Sequence, residues 1–524
     1  MWRDEIQAWL LARDSDSIVD LFQNMTYEGH PGLWHLCLYG LSQITANPLI
    51  MQMFHLLISI GIVYLLVKRS PFPTFHRALL PFGYFIFFEY TFISRSYNIG
   101  VFLLFLFCVV YAYFGRRYLA LSAIIMLLAN TSAYGFLVGL SLMLFLSLSA
   151  KELSAKEADA GKSGDRWKMP TRLIFGLAIA GLGCLISALQ IIRGAIPQIT
   201  EALGLQAMGS ASGQSLTLVS AALGAGPLLP ENIRRFVEAT ADIWRSYTAV
   251  PALFQSWFWN SNILDILSER FDAVLFYGVP IGTCIAFLIS PLLVLAVAYL
   301  LSADRTVLST YLLGTSALVL FKAVVYDSTS ARHRGHLFII LIVCFWLMEV
   351  RTAARAVSSK TGPPQAALGA NHKRSLRLRF LSVILCLQAI SGLYAASADY
   401  LRPFSAGEAA ATFIQQQGLA EAPIFGSDYR HAAVISGYLN TPIYYPEKQD
   451  VGSFWTSRLP EIEDQSELIQ QIEVWVAAGE DNRLLVLTEP LALPLNTTLK
   501  IEEVVRFEDA ISLEKFYLYM VTAT

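Results

Sequence analysis

Apolar runs long enough to cross a membrane recur along most of this chain, and they limit what it can fold into. A hydrocarbon core about 30 Å thick takes roughly 20 apolar residues in a helix. Such runs lie near 49–67, 77–93, 97–114, 118–133, 134–149, 171–192, 273–301, 306–325, 336–350 and 377–397. The fourth and fifth are short and meet at Asn130-Thr131-Ser132, and the ninth is also short. Only 15% of the 524 residues are charged, against about 25% in a soluble domain. The expected class is a polytopic α-helical membrane protein. A net charge of -2, with no basic stripe interleaved with aromatics, argues against nucleic acid as a partner. Cys37, Cys108, Cys184, Cys284, Cys344 and Cys386 sit in apolar runs with no C-x-x-C. They read as small apolar fillers rather than disulfide or metal residues.

Lysine and arginine set the orientation. Lys68, Arg69 and Arg77 follow the first run, and Arg116 and Arg117 follow the third. Lys151, Lys156, Lys162, Arg166, Lys168 and Arg172 fill the loop after the fifth, and seven more cations lie between Arg351 and Arg379. Every second loop is basic, which makes those loops cytoplasmic. Residues 1–48, 94–96, 130–133, 193–272, 326–335 and 398–524 then face outward. Met1 runs straight into charges, so no signal peptide is expected. An outer N-terminus with no span before it is awkward to translocate, and the expectation is a preceding span that this chain lacks.

The outer segments carry structure. In 1–48, Ile6, Trp9 and Leu10 form an apolar face, Ser17 and Asp20 suggest a capping box, and Pro31 suits the first turn of a third helix. These pieces read as helices lying in the membrane interface. In 193–272, residues 231–247 are amphipathic, Phe254, Trp257, Phe258 and Trp259 read as an interfacial aromatic belt, and the Ala/Gly/Ser-rich stretch 202–226 reads as mobile. Beyond 397, helices at 408–417, 432–439 and 469–478 alternate with strands at 423–426, 443–445, 483–488, 501–507 and 516–521. That pattern predicts a small α/β domain. It has no Gly-rich phosphate fingerprint, nucleophile elbow or metal cluster, so it reads as a docking or packing domain.

Ionisable residues in or beside spans are costly and usually have a task. Asp4, Glu5, Glu28 and His30 lie in the first outer segment. Glu89 interrupts F-I-F-F-E-Y-T-F-I, just before Arg95 and Tyr97. Lys322 lies within L-F-K-A-V-V-Y-D, and Arg332, His333, Arg334 and His336 crowd A-R-H-R-G-H-L-F. Each has a plainer reading: a helix cap for Asp4 and Glu5, a solvated turn for Glu28 and His30, a Glu89–Arg95 pair, a snorkelling Lys322, a headgroup anchor for the Arg/His group. All fall on one face of the membrane, which favours a common site. Such a set suits a substrate with a phosphate head and an isoprenoid tail. Cations would hold the phosphate, and a carboxylate would take a proton from an attacking hydroxyl.

W-R-D-E-x-Q-A-W-L-x-A-R-D-S, Y-E-G-H-P-x-L-W, E-Y-x-x-x-S-R-S-Y-x-x-G and A-R-H-R-G-H-L-F together resemble bacterial GT-C glycosyltransferases. That group includes protein O-mannosyltransferases, lipid A aminoarabinose transferases and RgtA–D-like proteins. The resemblance implies a GT-C transmembrane module over 1–397 and an extracytoplasmic α/β domain over 398–524, in the bacterial plasma membrane. It implies transfer of a sugar, with inversion, from a polyprenyl-phosphate donor to a hydroxyl on a lipid, glycan or protein. Asp4 matches the catalytic base, with Glu5 beside it. Arg332, Arg334 and Lys322 would hold phosphate. Arg95, Glu28 and His30 would orient sugar or acceptor, with Glu89, Tyr97, His333 and His336 completing the site. Some members use a divalent metal, for which Glu28 and Glu89 are the candidates; no cofactor is required by the residues themselves. Family members carry a span before the Asp-Glu pair, and this chain does not. A transporter or flippase of an anionic lipid-linked substrate, or a glycan ligase or polymerase, are the alternatives.

Overall fold

The computed structural model describes residues 1–524 except 116, 160–169, 203–229, 253–257, 272–273, 276–278, 327–329, 359–363, 457–461, 463, 479–482, 493–498, 513 and 524. Eight described helices are long and apolar enough to cross a membrane: Leu49–Arg69, Tyr97–Phe114, Ala133–Ala155, Thr171–Gly194, Ile281–Leu301, Arg305–Val324, Ala331–Ala356 and Asn371–Leu401. This is the architecture of a polytopic helical membrane protein.

Two of the ten expected spans differ. The run at 118–133 yields only the helix Tyr118–Ala129. It stops where the Asn130 side chain turns back, donating to the carbonyls of Met126 (2.8 Å) and Gly183 (3.1 Å). The run at 77–93 is not one helix. It breaks into Thr74–Leu79, a 3-10 turn Leu80–Phe82 and a π-helix Phe85–Phe92. Pro81 removes an amide donor from the helical ladder, which disrupts it. Gly392 packs there so closely that a Cβ would strike the Phe82 carbonyl. The segment still runs antiparallel to the Ala331–Ser358 helix. Phe72 lies against Trp346, Phe85 against Phe338, and the Tyr90 hydroxyl donates to the Arg332 carbonyl.

The expected outer helix at 231–247 is a buried one. Pro230–Tyr247 packs among spanning helices, with Val237, Ala241 and Ile243 buried. Its far end meets residues well inside those helices: the Tyr247 hydroxyl bonds that of Tyr311 (2.8 Å), the Trp244 amide donates to Ser290 Oγ (3.1 Å), and Gln388 donates to the Ser246 carbonyl (2.7 Å). The chain then turns back through irregular backbone. Such backbone is tolerated at membrane depth only inside protein. Here Asn262 donates to the Thr248 carbonyl, and Ser261 Oγ accepts from the Ala252 amide. Phe258 and Trp259 are therefore not an interfacial belt: Phe258 packs on Phe88 and Tyr394, and Trp259 on Trp2 and Phe404. Phe254, Trp257 and all of 202–226 but Ala202 lie outside the described residues.

The N-terminal helix Arg3–Arg13 is likewise not interfacial. Ile6, Trp9, Leu10 and Leu11 are wholly buried, because the helix is covered by Leu33–Ser42 on one side and Tyr429–Leu439 on another. The strands are β1 (Val274–Leu275), β2 (Val279–Pro280), β3 (Ile424–Gly426), β4 (Ile443–Tyr445), β5 (Asp450–Gly452), β6 (Arg483–Leu487), β7 (Leu499–Phe507) and β8 (Phe516–Ala523). β1 and β2 form a hairpin; the rest form one sheet in the order β5-β4-β3-β6-β8-β7. β3 is parallel to β4 and β6, and the other pairs are antiparallel. The helices Tyr429–Leu439 and Gln465–Ala477 lie between the parallel strands in sequence.

The two ends of the bundle differ in chemistry. One gathers residues 4, 28–30, 95, 133 and 332. At the other, Arg351 donates to Asp304 (2.6 Å), Glu152 (2.5 Å), Tyr111 (3.1 Å) and Ser149 (3.0 Å), joining four segments. Asp304 is fully buried. Removing one partner of a buried ion pair costs on the order of 3–5 kcal/mol. Arg351→Met should lower the thermal midpoint in detergent by the equivalent of several kcal/mol, although Arg355 also reaches Asp304 (2.8 Å). An unchanged midpoint would show that this knot does not hold the bundle end.

Candidate functional site

The site begins in the first turn of Arg3–Arg13, where the helix dipole favours acids. Glu5 folds back so that Oε2 accepts from the Trp2 amide (3.0 Å), while Oε1 accepts from the Ser94 amide (2.7 Å). That fastens the helix start to the segment carrying Arg95. Arg95 Nη1 then donates to Asp4 Oδ2 at 2.5 Å. Arg332 Nη2 reaches the same oxygen at 2.8 Å, and Arg3 Nε lies 3.9 Å from Oδ1. Trp2 and Tyr97 support the two arginines, Arg332 over the Trp2 ring and Arg95 over the Tyr97 ring.

Asp4 lines a cavity of about 260 Å³. Glu28, His30, Arg95, Arg332, Tyr134 and Tyr326 line it, together with Arg3, Gln7, Tyr429, Arg430 and Trp455. Gln7 Nε2 donates to Glu28 Oε1 (3.1 Å) and to the Trp455 carbonyl (2.7 Å). Beside it, Tyr97 bonds His333 (3.0 Å), Tyr90 bonds His336 (3.2 Å), and the Tyr134 ring stacks on both histidines.

Electrostatics separate the two cavity acids. Burial acts to raise the Asp4 pKa, but Arg95, Arg332 and Arg3 outweigh it and hold Asp4 well below the usual carboxylate range. At Glu28, burial prevails over the Gln7 hydrogen bond and raises the pKa above 4.5. Burial, then the charge of Arg95, pushes His30 down to about 3. His35 is pushed down to about 3 for the same two reasons. Asp4 is thus a fixed anion that its cations already neutralise.

Of the residues singled out from sequence, Asp4, Glu28, His30, Arg95 and Arg332 line this cavity, and Tyr97, His333 and His336 lie behind its wall. Glu5 is buried on backbone amides and is a positioning residue by geometry. Glu89 is buried and accepts from the Tyr84 hydroxyl (3.1 Å), off the cavity lining. Among the described residues no three or more His, Cys, Asp and Glu side chains gather as a metal site. Lys322 and Arg334 line a different cavity of about 330 Å³ beside the buried helix. There Lys322 is bonded to Asp242, and Arg334 donates to the Asn260 carbonyl (2.5 Å). The expected phosphate-holding trio is therefore divided: Arg332 is in one cavity, Arg334 and Lys322 in the other. Sequence reasoning missed Arg3, Gln7, Tyr134, Tyr326, Tyr429, Arg430 and Trp455. For Tyr429 and Arg430 a signal existed, the polar S-D-Y-R-H directly after a strand.

In comparisons with known proteins, no family model, no curated protein and no solved structure matches this chain.

The two depressed histidines set a pH dependence. Their pKa values lie below the ordinary 6.5, so the unfolded chain binds protons that the folded one refuses. Stability then rises with pH across that window and is lost as pH falls from about 6.5 toward 3. The thermal midpoint should fall between pH 7.5 and pH 5. A His30→Gln, His35→Gln double variant should show a flatter decline, and an equal slope in both proteins would contradict the assignment.

Proposed function

We propose that this chain is a GT-C type membrane glycosyltransferase, moving a sugar from a polyprenyl-phosphate donor to a hydroxyl on a lipid, glycan or protein. The positive-inside pattern supports a site on the extracytoplasmic face, and the resemblance supports a bacterial plasma membrane. The observation that carries the reading is the Asp4 carboxylate held between Arg95 and Arg332 at one end of the bundle. Two guanidiniums on one anion form a ready phosphate cradle. A cavity of about 260 Å³ is near the lower end of ligand pockets, about 300 Å³. It suits a polar head whose tail stays in lipid.

The same contacts suggest a mechanism. At rest Asp4 occupies the cations and is a weak base. A substrate phosphate arriving at Arg95 and Arg332 competes with Asp4 for them, and Asp4 released from them regains basicity. It can then accept the proton of the acceptor hydroxyl as that oxygen attacks the anomeric carbon. The bond from that carbon to the phosphate oxygen breaks, and the arginines stabilise the charge gathering on the leaving phosphate. Glu28, with its raised pKa, is a second proton acceptor in the same cavity.

A second reading, a transporter or flippase, draws on the buried Pro230–Tyr247 helix and its return segment, since broken helices beside charges mark transporter sites. Transport needs no base, so Asp4 decides between the two. In a transfer assay with a polyprenyl-phosphate sugar, Asp4→Asn should lower turnover by about 10²–10⁴-fold while keeping or tightening lipid-phosphate binding. Glu28→Gln should cost less. Full turnover in Asp4→Asn would remove Asp4 as base.

A further inference from the structure

A second cavity opens at the far end of the Arg3–Arg13 helix. It measures about 410 Å³, against about 260 Å³ for the cavity around Asp4, and falls within the range of ligand pockets, about 300–1,000 Å³. Its lining comes from places remote in sequence. Arg13 and Asp14 stand at the helix end, and Asn440 and Pro442 just after Tyr429–Leu439. Lys448, Val451 and Gly452 come from the β4–β5 hairpin, and Ser453, Phe454 and Thr456 follow it. Asn440 holds the left-handed conformation (φ 56°), which a short polar side chain tolerates. Along the helix, at about 1.5 Å per residue, Asp14 lies roughly 15 Å from Asp4, so this cavity is separate from the one described above.

Its polar groups are unevenly satisfied. Arg13 and Asp14 form a fork, with Nε donating to Oδ1 (2.6 Å) and Nη2 to Oδ2 (2.7 Å). Asp14 Oδ2 also accepts from the Ser453 hydroxyl. The remaining nitrogen, Arg13 Nη1, is buried and has no hydrogen-bond acceptor, on a side chain only 9% exposed. A buried donor without an acceptor is costly, and a charged one more so. Lys448 is the second cation of the lining. It pairs with Asp450 at 3.4 Å, but both side chains are exposed and Asp450 is off the lining, so water and salt weaken that pair. Within the lining, two cations face one carboxylate. Pro442, Val451 and Phe454 add an apolar wall. We propose that this cavity binds a ligand carrying one oxyanion, a carboxylate or a phosphate. An oxygen of that group accepts from Arg13 Nη1, Lys448 balances its charge, and Asn440 and Thr456 serve its neutral polar groups. The oxyanion comes either free or on a sugar ring laid against the apolar wall. The site needs none of the chemistry proposed around Asp4.

The test is ligand-observed NMR on the full chain in detergent, in phosphate-free buffer, with D-glucuronate, acetate and uncharged D-glucose as probes. Glucuronate should bind at least about tenfold tighter than glucose, the worth of one charge-assisted hydrogen bond. Arg13→Lys should remove that preference, since an ammonium cannot hold Asp14 as a fork and serve a ligand as well. Lys448→Met, at the exposed rim, should weaken glucuronate about threefold and leave glucose unchanged. Asn440→Gly keeps the left-handed backbone and should weaken glucuronate too. If Arg13→Lys does not fold, these last two variants decide. Acetate binding as tightly as glucuronate would mark a free anion as the ligand, and glucuronate binding tighter than acetate would mark a sugar-borne one. Equal affinity for glucose and glucuronate, or no binding of either anion, would overturn the proposal. So would glucuronate binding that Arg332→Gln abolishes and Lys448→Met spares, which would put the anion beside Asp4 instead.

Discussion

One carboxylate holds three distant pieces of chain in register. Asp4 comes from the first helix, Arg95 from the approach to the second apolar helix, and Arg332 from the start of the Ala331–Ser358 helix. Without the anion, two guanidiniums would face each other across a poorly hydrated space, and like charges there repel strongly. Glu5 sets the geometry from behind through two backbone amides, and the rings of Trp2 and Tyr97 back the cations. The trio keeps a net positive charge even with Asp4 in place, one carboxylate against two guanidiniums.

The same logic of compensation runs through the bundle. Several charges inside it come in pairs or knots: Lys322 with Asp242, Arg377 with Glu349, Arg351 with Asp304 and Glu152. Such pairs contribute little net stability compared with apolar packing, but each fixes one arrangement, because breaking it strands a charge. The buried Pro230–Tyr247 helix depends on this. Its polar side meets Lys322 through Asp242 and Asp265 through Arg245, and only so can an amphipathic helix sit among spanning ones.

What could be read in advance follows from this. Hydrophobic runs report their own length, so eight spans and the α/β alternation beyond residue 397 were visible in the sequence. Asp4, Arg95 and Arg332 stood out because charge is out of place beside apolar runs. Amphipathicity of 231–247 reported two faces but not what would receive them. Water and a polar groove inside a bundle satisfy Asp242 equally well, so amphipathicity alone does not distinguish an outer helix from a buried one. The break at Pro81 was written in the residue itself, and the length of the run concealed it. Lys322 and Arg334 were grouped with Arg332 by nearness in sequence, yet on a helix Arg332 and Arg334 point to different sides. Arg430 is marked only by the polar S-D-Y-R-H after a strand, and Trp455 by nothing. Their place over the cavity is a tertiary contact, and Trp455 meets Gln7 across 448 positions.

That separation has a consequence for biogenesis. Part of the cavity lining is in place once the Ala331–Ser358 helix is made, but Tyr429, Arg430 and Trp455 come only after it. Until then the hydrophobic face of Arg3–Arg13 that packs on Tyr429–Leu439 has no cover, and Gln7 has no Trp455 carbonyl to hold. Gln7 must wait for a residue 448 positions further along the chain. A chain cut before Tyr429 therefore presents a cradle with part of its lining missing.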